Sequence, residues 1–170
     1  LFRIQRKSIK KQIDIWQNYA SHVISGCEWV DYMYYWNTLM VAHFSIDLDS
    51  IISKYGNEEG YDDGYFHILH APNHRAIKGS DYVTSAVEDL IDEGYKIKLD
   101  LIEKASNDKI LKSIAKSDLV IDQLIIGWYA MFAIESMALS KPTICYLRDD
   151  LIDLYQSSGL INSNEPPLIN

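Results

Sequence analysis

The chain has 170 residues, 48% of them hydrophobic and 12% aromatic, and that apolar fraction excludes a disordered polymer. The length suits one domain with room for a core and is too short for two full ones. Sixteen Lys and Arg against 24 Asp and Glu give a net charge of -8, which argues against a general nucleic-acid binder, because phosphate contacts need clustered cations.

The charge is uneven. Residues 1–12 contain Arg3, Arg6, Lys7, Lys10 and Lys11 and no acid, which leaves 11 cations and 24 acids for the rest. Ile4, Ile9, Ile13 and Trp16 recur at roughly helical spacing, with the cations mostly elsewhere. That pattern suits an amphipathic helix on an anionic membrane surface. The modest length, and Trp16 as a core candidate, favour instead an ordinary helix that links two domains and packs on this one. The basic start lacks the apolar stretch of a signal peptide. The longest apolar run, Leu124 to Ile134, has 11 residues, whereas a spanning helix needs about 20. The first residue is Leu1 and the last is Asn170, so the chain is expected to be a piece of a longer protein.

Residues 22–25 and 39–44 are strand candidates around a helix over 28–36. A short helix over 47–54 starts on Asp47 as its cap. An acidic loop, 56–64, follows. It lacks the alternating ligands and later Glu of an EF-hand and reads as a solvated excursion. A strand over 65–70 ends at Ala71-Pro72. The clearest helix covers 80–93, with Val83, Ala86, Val87, Leu90 and Ile91 on one side and Gly94 at its end. Strands over 96–102, from 119–121 and over 143–147 alternate with helices over 108–116, 129–139 and 149–156.

This alternation predicts an α/β protein, a three-layer Rossmann-like doubly wound parallel sheet. The expected organisation is a basic leading helix or linker over 1–20, a Rossmann-like domain over 21–160 and a truncated tail over 161–170. Ligands of such sheets bind at the carboxyl ends of the strands, so the loops after residues 70, 102, 122 and 147 are the ones to inspect. In the first of these loops, Arg75, Lys78 and Gly79 precede a helix N-terminus. Two cations beside free N–H groups suit a phosphate, and Gly79 allows close backbone approach. The alternative is a solvated basic loop in which Ser80 caps the helix. In the third loop Glu135 stands in an otherwise apolar helix. Such a carboxylate either receives two hydrogen bonds from a vicinal diol or pairs with a nearby Lys or backbone N–H.

The remaining chemistry-bearing residues carry less. Cys27 and Cys145 are too far apart in sequence to suggest a disulfide framework or zinc site, and Cys145 lies in the apolar run Thr143-Ile144-Cys145-Tyr146-Leu147. A reducing cytoplasm is the default compartment. His67 and His70 differ by three along a strand and so point to opposite faces, which argues against a metal site. His70, at the strand end, is a candidate contact for a ligand.

Three runs together resemble the C-terminal half of family-four (group 1) glycosyltransferases, enzymes of GT-B architecture. They are Arg75 with Lys78-Gly79-Ser80-Asp81, Asp118-Leu119-Val120-Ile121-Asp122, and Glu135-Ser136-Met137-Ala138-Leu139-Ser140-Lys141-Pro142. The third run begins 57 residues after Lys78 and resembles the family's E-A-M-A-x-G-x-P. The resemblance covers roughly residues 20–150. It implies the donor-binding domain of a retaining enzyme that moves a sugar from a nucleotide diphosphate to a glycan or lipid-linked acceptor. An acceptor-binding domain would precede Leu1, so this chain alone would bind without turning over. The nucleotide diphosphate sugar is a substrate, and neither cofactor nor metal is implied.

By the same resemblance Arg75 and Lys78 hold the diphosphate and stabilise its departure. His70 and Gly79 line that pocket, and Glu135 binds the ribose. A helix beginning near Trp128 aims the backbone of Gly127, Trp128, Tyr129, Ala130 and Met131 at the phosphates, while residues 103–107 lie near the base. Gly127 stands where the family carries an acidic residue that contacts the sugar, with Asp122 as the available substitute. Ser140 stands where a glycine usually ends the helix and implies a positive φ. The departure at Gly127 motivates a second reading, a non-catalytic glycosyltransferase-like domain that binds nucleotide or a partner. A receiver-like regulatory domain is a third, although the acidic cluster such domains use is not evident. The implied location is cytoplasmic, with peripheral contact at the inner membrane face as a variant.

Overall fold

A computed structural model of the protein describes residues 2–32, 36–40 and 45–159. The chain divides into two compact units, Leu1–His43 and Phe44–Asn170, so the division falls beyond the expected boundary near residue 20.

The first unit opens with helix α1, Phe2–Tyr19. Trp16, a core candidate by sequence, is 69% exposed, so it does not pack as core. Strand β1 (Ile24–Ser25) pairs in parallel with β2 (Thr38–Leu39), Ile24 opposite Thr38. Strand β1 is shorter than the predicted 22–25, and β2 starts one residue before the predicted 39–44, of which 41–44 lie outside the described residues. The side chain of Asn37 accepts from the Val23 N–H at 2.7 Å and ties the two segments at their start. The predicted helix over 28–36 is a 3-10 helix, Cys27–Tyr32. The rest of that prediction, and strand residues 41–44, lie largely outside the described residues, as does the tail over 161–170.

The second unit begins with α2, Leu48–Tyr55, capped as expected: Asp47 accepts from the Ser50 N–H at 2.9 Å. Then follow β3 (Phe66–His70), a one-turn helix α3 (Arg75–Lys78), α4 (Ser80–Asp92), β4 (Ile97–Leu101), α5 (Asn107–Lys116), β5 (Leu119–Ile121), α6 (Met131–Ala138), β6 (Thr143–Ile144) and α7 (Asp149–Ser157). The four strands form one parallel sheet in the order β4-β3-β5-β6. A parallel sheet needs crossover helices, and these cover both faces.

Alternation along β3 sorts the two cores. Leu69 packs with Tyr55, Leu111, Ile114, Val120 and Leu139, the layer of α2, α5 and α6. Ile68 packs with Val83, Val87 and Ile121, the layer of α4. Ile68 and Leu69 thus bury an apolar side chain on each face of the strand, as a parallel sheet covered on both sides requires, while His67 and His70 are buried polar residues near its start and at its end. The fold class is the predicted one: a Rossmann-like, doubly wound α/β unit.

Several local expectations shift. Strand β6 ends at Ile144, although Cys145 and Leu147 remain buried beyond it. Ser140 adopts φ 57°, the left-handed value expected where a glycine is usual. The acidic loop is less free than a solvated excursion: Glu58 pairs with Lys116 at 3.5 Å and Asp63 with Lys98 at 2.5 Å. His67 and His70 do face opposite sides of the sheet, and each has its own partners. Among the described residues no helix is long and apolar enough to cross a membrane.

Candidate functional site

The sheet topology selects the site before any side chain does. Strands β3 and β5 are neighbours, yet β3 leads to α4 on one face and β5 leads to α6 on the other. The connections diverge there, leaving a crevice outside the carboxyl ends of the two strands. His70 ends β3 and Asp122 follows β5, so the predicted loops meet at this switch point.

His70 knits the floor. It is fully buried, and its Nδ1 lies 2.8 Å from the Ile121 carbonyl oxygen. A carbonyl only accepts, so Nδ1 carries the hydrogen and Nε2 accepts from the Ser80 hydroxyl at 2.8 Å. Burial holds the ring below its ordinary pKa, in its neutral form. Ser80 thus serves His70 rather than capping α4. His70, expected to touch a ligand, is a support beneath the site, with both ring nitrogens occupied.

Above it sits Lys78. Its ammonium pairs with Asp122 at 2.9 Å, and the carboxylate is 1% exposed. The second oxygen of Asp122 accepts from the Ala130 N–H at 2.8 Å. A cation and a backbone donor at the entrance of α6 therefore converge on one anion, and Asp122 supplies it in this structure. Gly79 makes that approach feasible. At φ 76° it joins α3 to α4, and a Cβ there would lie 3.2 Å from Leu124 Cβ and 3.3 Å from Ile125 Cγ1. The Leu124 N–H also donates to the Lys78 carbonyl at 3.1 Å, which clamps the two loops together. Arg75 is brought to the rim, not to Lys78: its guanidinium pairs with Glu103 at 3.1 Å, and both side chains are largely exposed.

The loop between β5 and α6 is organised by Gln123, which the sequence reading did not single out. Gln123 is fully buried. Its Oε1 accepts from the Ile126 N–H at 2.8 Å, and its Nε2 donates to the Trp128 carbonyl. A polar residue within an apolar run was the available signal, since a buried amide must satisfy its own hydrogen bonds. With the loop held this way Ala130 is extended, and α6 starts at Met131 and not near Trp128. The Ala133 and Ile134 N–H groups donate to the Ala130 carbonyl, so Met131 and Phe132 carry the donors at the start of the helix. Ala130 offers no capping side chain, which leaves those donors to other acceptors. The Trp128 side chain faces the core, stacked on Tyr155 at 4.7 Å and on Tyr129 at 5.3 Å.

Gly127 has a local cause. Its φ is 93°, and a Cβ there would meet Arg148 Cβ at 3.1 Å and Arg148 Cγ and Cδ closer still. The Arg148 N–H donates to the Gly127 carbonyl at 2.9 Å, and the guanidinium is held by Asp150. No acidic side chain fits at Gly127 while Arg148 lies there.

Glu135 is on α6, 6% exposed. Its partner is neither a Lys nor a backbone N–H but the side-chain amide of Asn107, which donates at 2.9 Å. Asn107 is the first residue of α5 and the last of the stretch 103–107 expected near a base. Cys145 is confirmed as core: burial pushes its thiol up to about 12, which removes it as a nucleophile near neutrality. A polar depression lined by Ser53, Lys54, Asn57, Glu58, Glu59 and Lys116 draws on none of these residues, and its two lysines are paired with Asp108 and Glu58.

The arrangement can hold an anion between Lys78 and the start of α6, with a buried carboxylate one helical stretch away at Glu135. Comparison of the chain with protein-family models, with curated proteins and with solved structures gave no match.

Proposed function

We propose that this chain is the donor-binding domain of a retaining glycosyltransferase and holds a nucleoside diphosphate sugar at the β3–β5 crevice. The observation that carries this reading is Lys78, poised 2.9 Å from an anion that also receives the Ala130 N–H. A diphosphate is the ligand whose charge and reach suit a lysine joined to a helix N-terminus. Glu135 suits the ribose, because a carboxylate accepts from two vicinal hydroxyls and Asn107 already fixes one of its oxygens. In the complete enzyme the bond from the anomeric carbon to the phosphate oxygen breaks, and the acceptor oxygen bonds to that carbon. The acceptor proton ends on the departing diphosphate. Lys78 and the α6 N–H groups stabilise the charge that develops there, and Arg75 supplements them from the rim. These groups supply the role a metal would otherwise play.

Thermal unfolding with UDP, GDP, ADP and their sugars tests the reading. A midpoint that rises with ligand concentration is expected for at least one of them. Glu135→Gln still accepts from Asn107, so it should fold normally while binding several-fold more weakly. A folded sample that responds to none of these ligands contradicts the reading.

One observation favours a second reading. Arg148 fills the space beside Gly127 where a sugar-contacting acid would stand. A non-catalytic domain that binds nucleotide but has lost sugar recognition fits that packing. It predicts equal stabilisation by a nucleoside diphosphate and its sugar conjugate, and no transfer activity in the full-length protein.

A further inference from the structure

We infer that α1 docks flat on an anionic lipid surface, with Trp16 and Ile9 entering the interface and its lysines on the headgroups. On a helix, Ile9, Ile13 and Trp16 are spaced i, i+4, i+7 and share one side, with Tyr19 at its margin, while Lys7, Lys10 and Lys11 lie away from that stripe. Trp16 is 69% exposed, Tyr19 83% and Ile9 48%, with Ile13 half-buried between them, so among the described residues this side is left largely open. Lys7, Lys10 and Lys11 are exposed as well. Lys10 pairs with Asp14 at 3.0 Å, a solvent-screened pair that leaves the helix strongly cationic.

Charge complementarity identifies the occupant. Residues 2–19 hold five cations and one acid, whereas the rest of the chain holds 11 cations and 23 acids. A second copy of this helix is repelled by the same charge. A nucleic acid could engage the lysines and stack on Trp16 but would leave Ile9 and Ile13 in water. A bilayer containing anionic lipid satisfies both sides at once. Apolar side chains enter the acyl boundary, the indole and phenol sit at headgroup depth, and lysine stems extend toward phosphate. The helix is about 27 Å long, and its window is too charged to span, so it lies in the membrane plane.

Co-sedimentation of the 170-residue chain with phosphatidylcholine vesicles, with and without about one-third phosphatidylglycerol, tests this. Binding is expected only to the anionic vesicles and should weaken steeply as salt is raised. Neutralising Lys7, Lys10 and Lys11 to Gln should weaken it by about a hundredfold. Trp16→Ser should weaken it at least several-fold with unchanged charge. All four positions are exposed, so circular dichroism and thermal midpoints should stay as in the parent chain. Absence of binding to anionic vesicles overturns the inference. So does equal binding to neutral vesicles, binding unaltered in both variants, or self-association through Trp16 in place of lipid binding.

Discussion

Lys78 and Asp122 are the pair on which the candidate site turns, and they are costly to separate. The carboxylate is 1% exposed, so Lys78→Met leaves a buried charge without its cation. That substitution should lower unfolding stability by about 3–5 kcal/mol. Adding Asp122→Asn should restore most of it, because an amide oxygen still accepts from the Ala130 N–H. Urea unfolding of the single and double variants checks both statements, and a mild single variant would show that the pair is not buried in solution. On sequence grounds Lys78→Ala would have passed as a clean binding probe. The buried partner that makes it unsuitable was invisible, because Asp122 lies 44 residues away. Gly127→Ala should cost about 1–3 kcal/mol, from a positive φ and the loss of space beside Arg148. Arg75, Lys78, Gly79 and Glu135 were legible as types: cations before a helix, a glycine, a lone acid on an apolar helix. Gln123 and Asn107 were not, since their roles exist only once two loops have been brought together.

At the scale of elements, strands and long helices were legible because burial on both faces writes continuous apolar runs and helical periodicity. The start of α6 was misplaced by two or three residues, because side-chain bonds from Gln123 override the apolar pattern there. The acidic loop before β3 shows the same override, and it carries a pH dependence. His67 presents Nδ1 to Asp100 at 2.9 Å and Nε2 to Asp63 at 3.2 Å, with Tyr61 stacked at 4.0 Å. Lys98 and the Asp118 carboxylate also lie on this cluster. Carboxylates only accept, so both ring nitrogens donate. Burial opposes the charge, but the bonds to Asp100 and Asp63 outweigh it and raise His67 above its usual 6.5. The folded state thus holds this proton more tightly than the unfolded chain. The stabilisation is complete below about pH 6.5 and is lost as pH rises through the folded value. Urea midpoints taken from acid to alkaline pH should fall across that window, and His67→Gln should flatten the fall. An unchanged slope in the variant would assign the pH dependence elsewhere. Leu69→Ala, at the centre of the α2–α5–α6 layer, should cost about 2–5 kcal/mol with no special pH dependence.

At the scale of the molecule, an acidic chain can serve an anionic ligand because placement outweighs net charge. One lysine is set against a helix start at the switch point, while most acids lie elsewhere on exposed helix faces and loops. The most direct measurement is a backbone amide NMR titration with UDP, GDP and ADP. One of them should shift the amides of Ala130, Met131 and Phe132 together with Gly79, saturably, as Asp122 yields its place between Lys78 and Ala130. A folded chain whose Ala130–Phe132 and Gly79 amides stay unmoved by all three nucleotides, or which binds one of them at another surface, would contradict it.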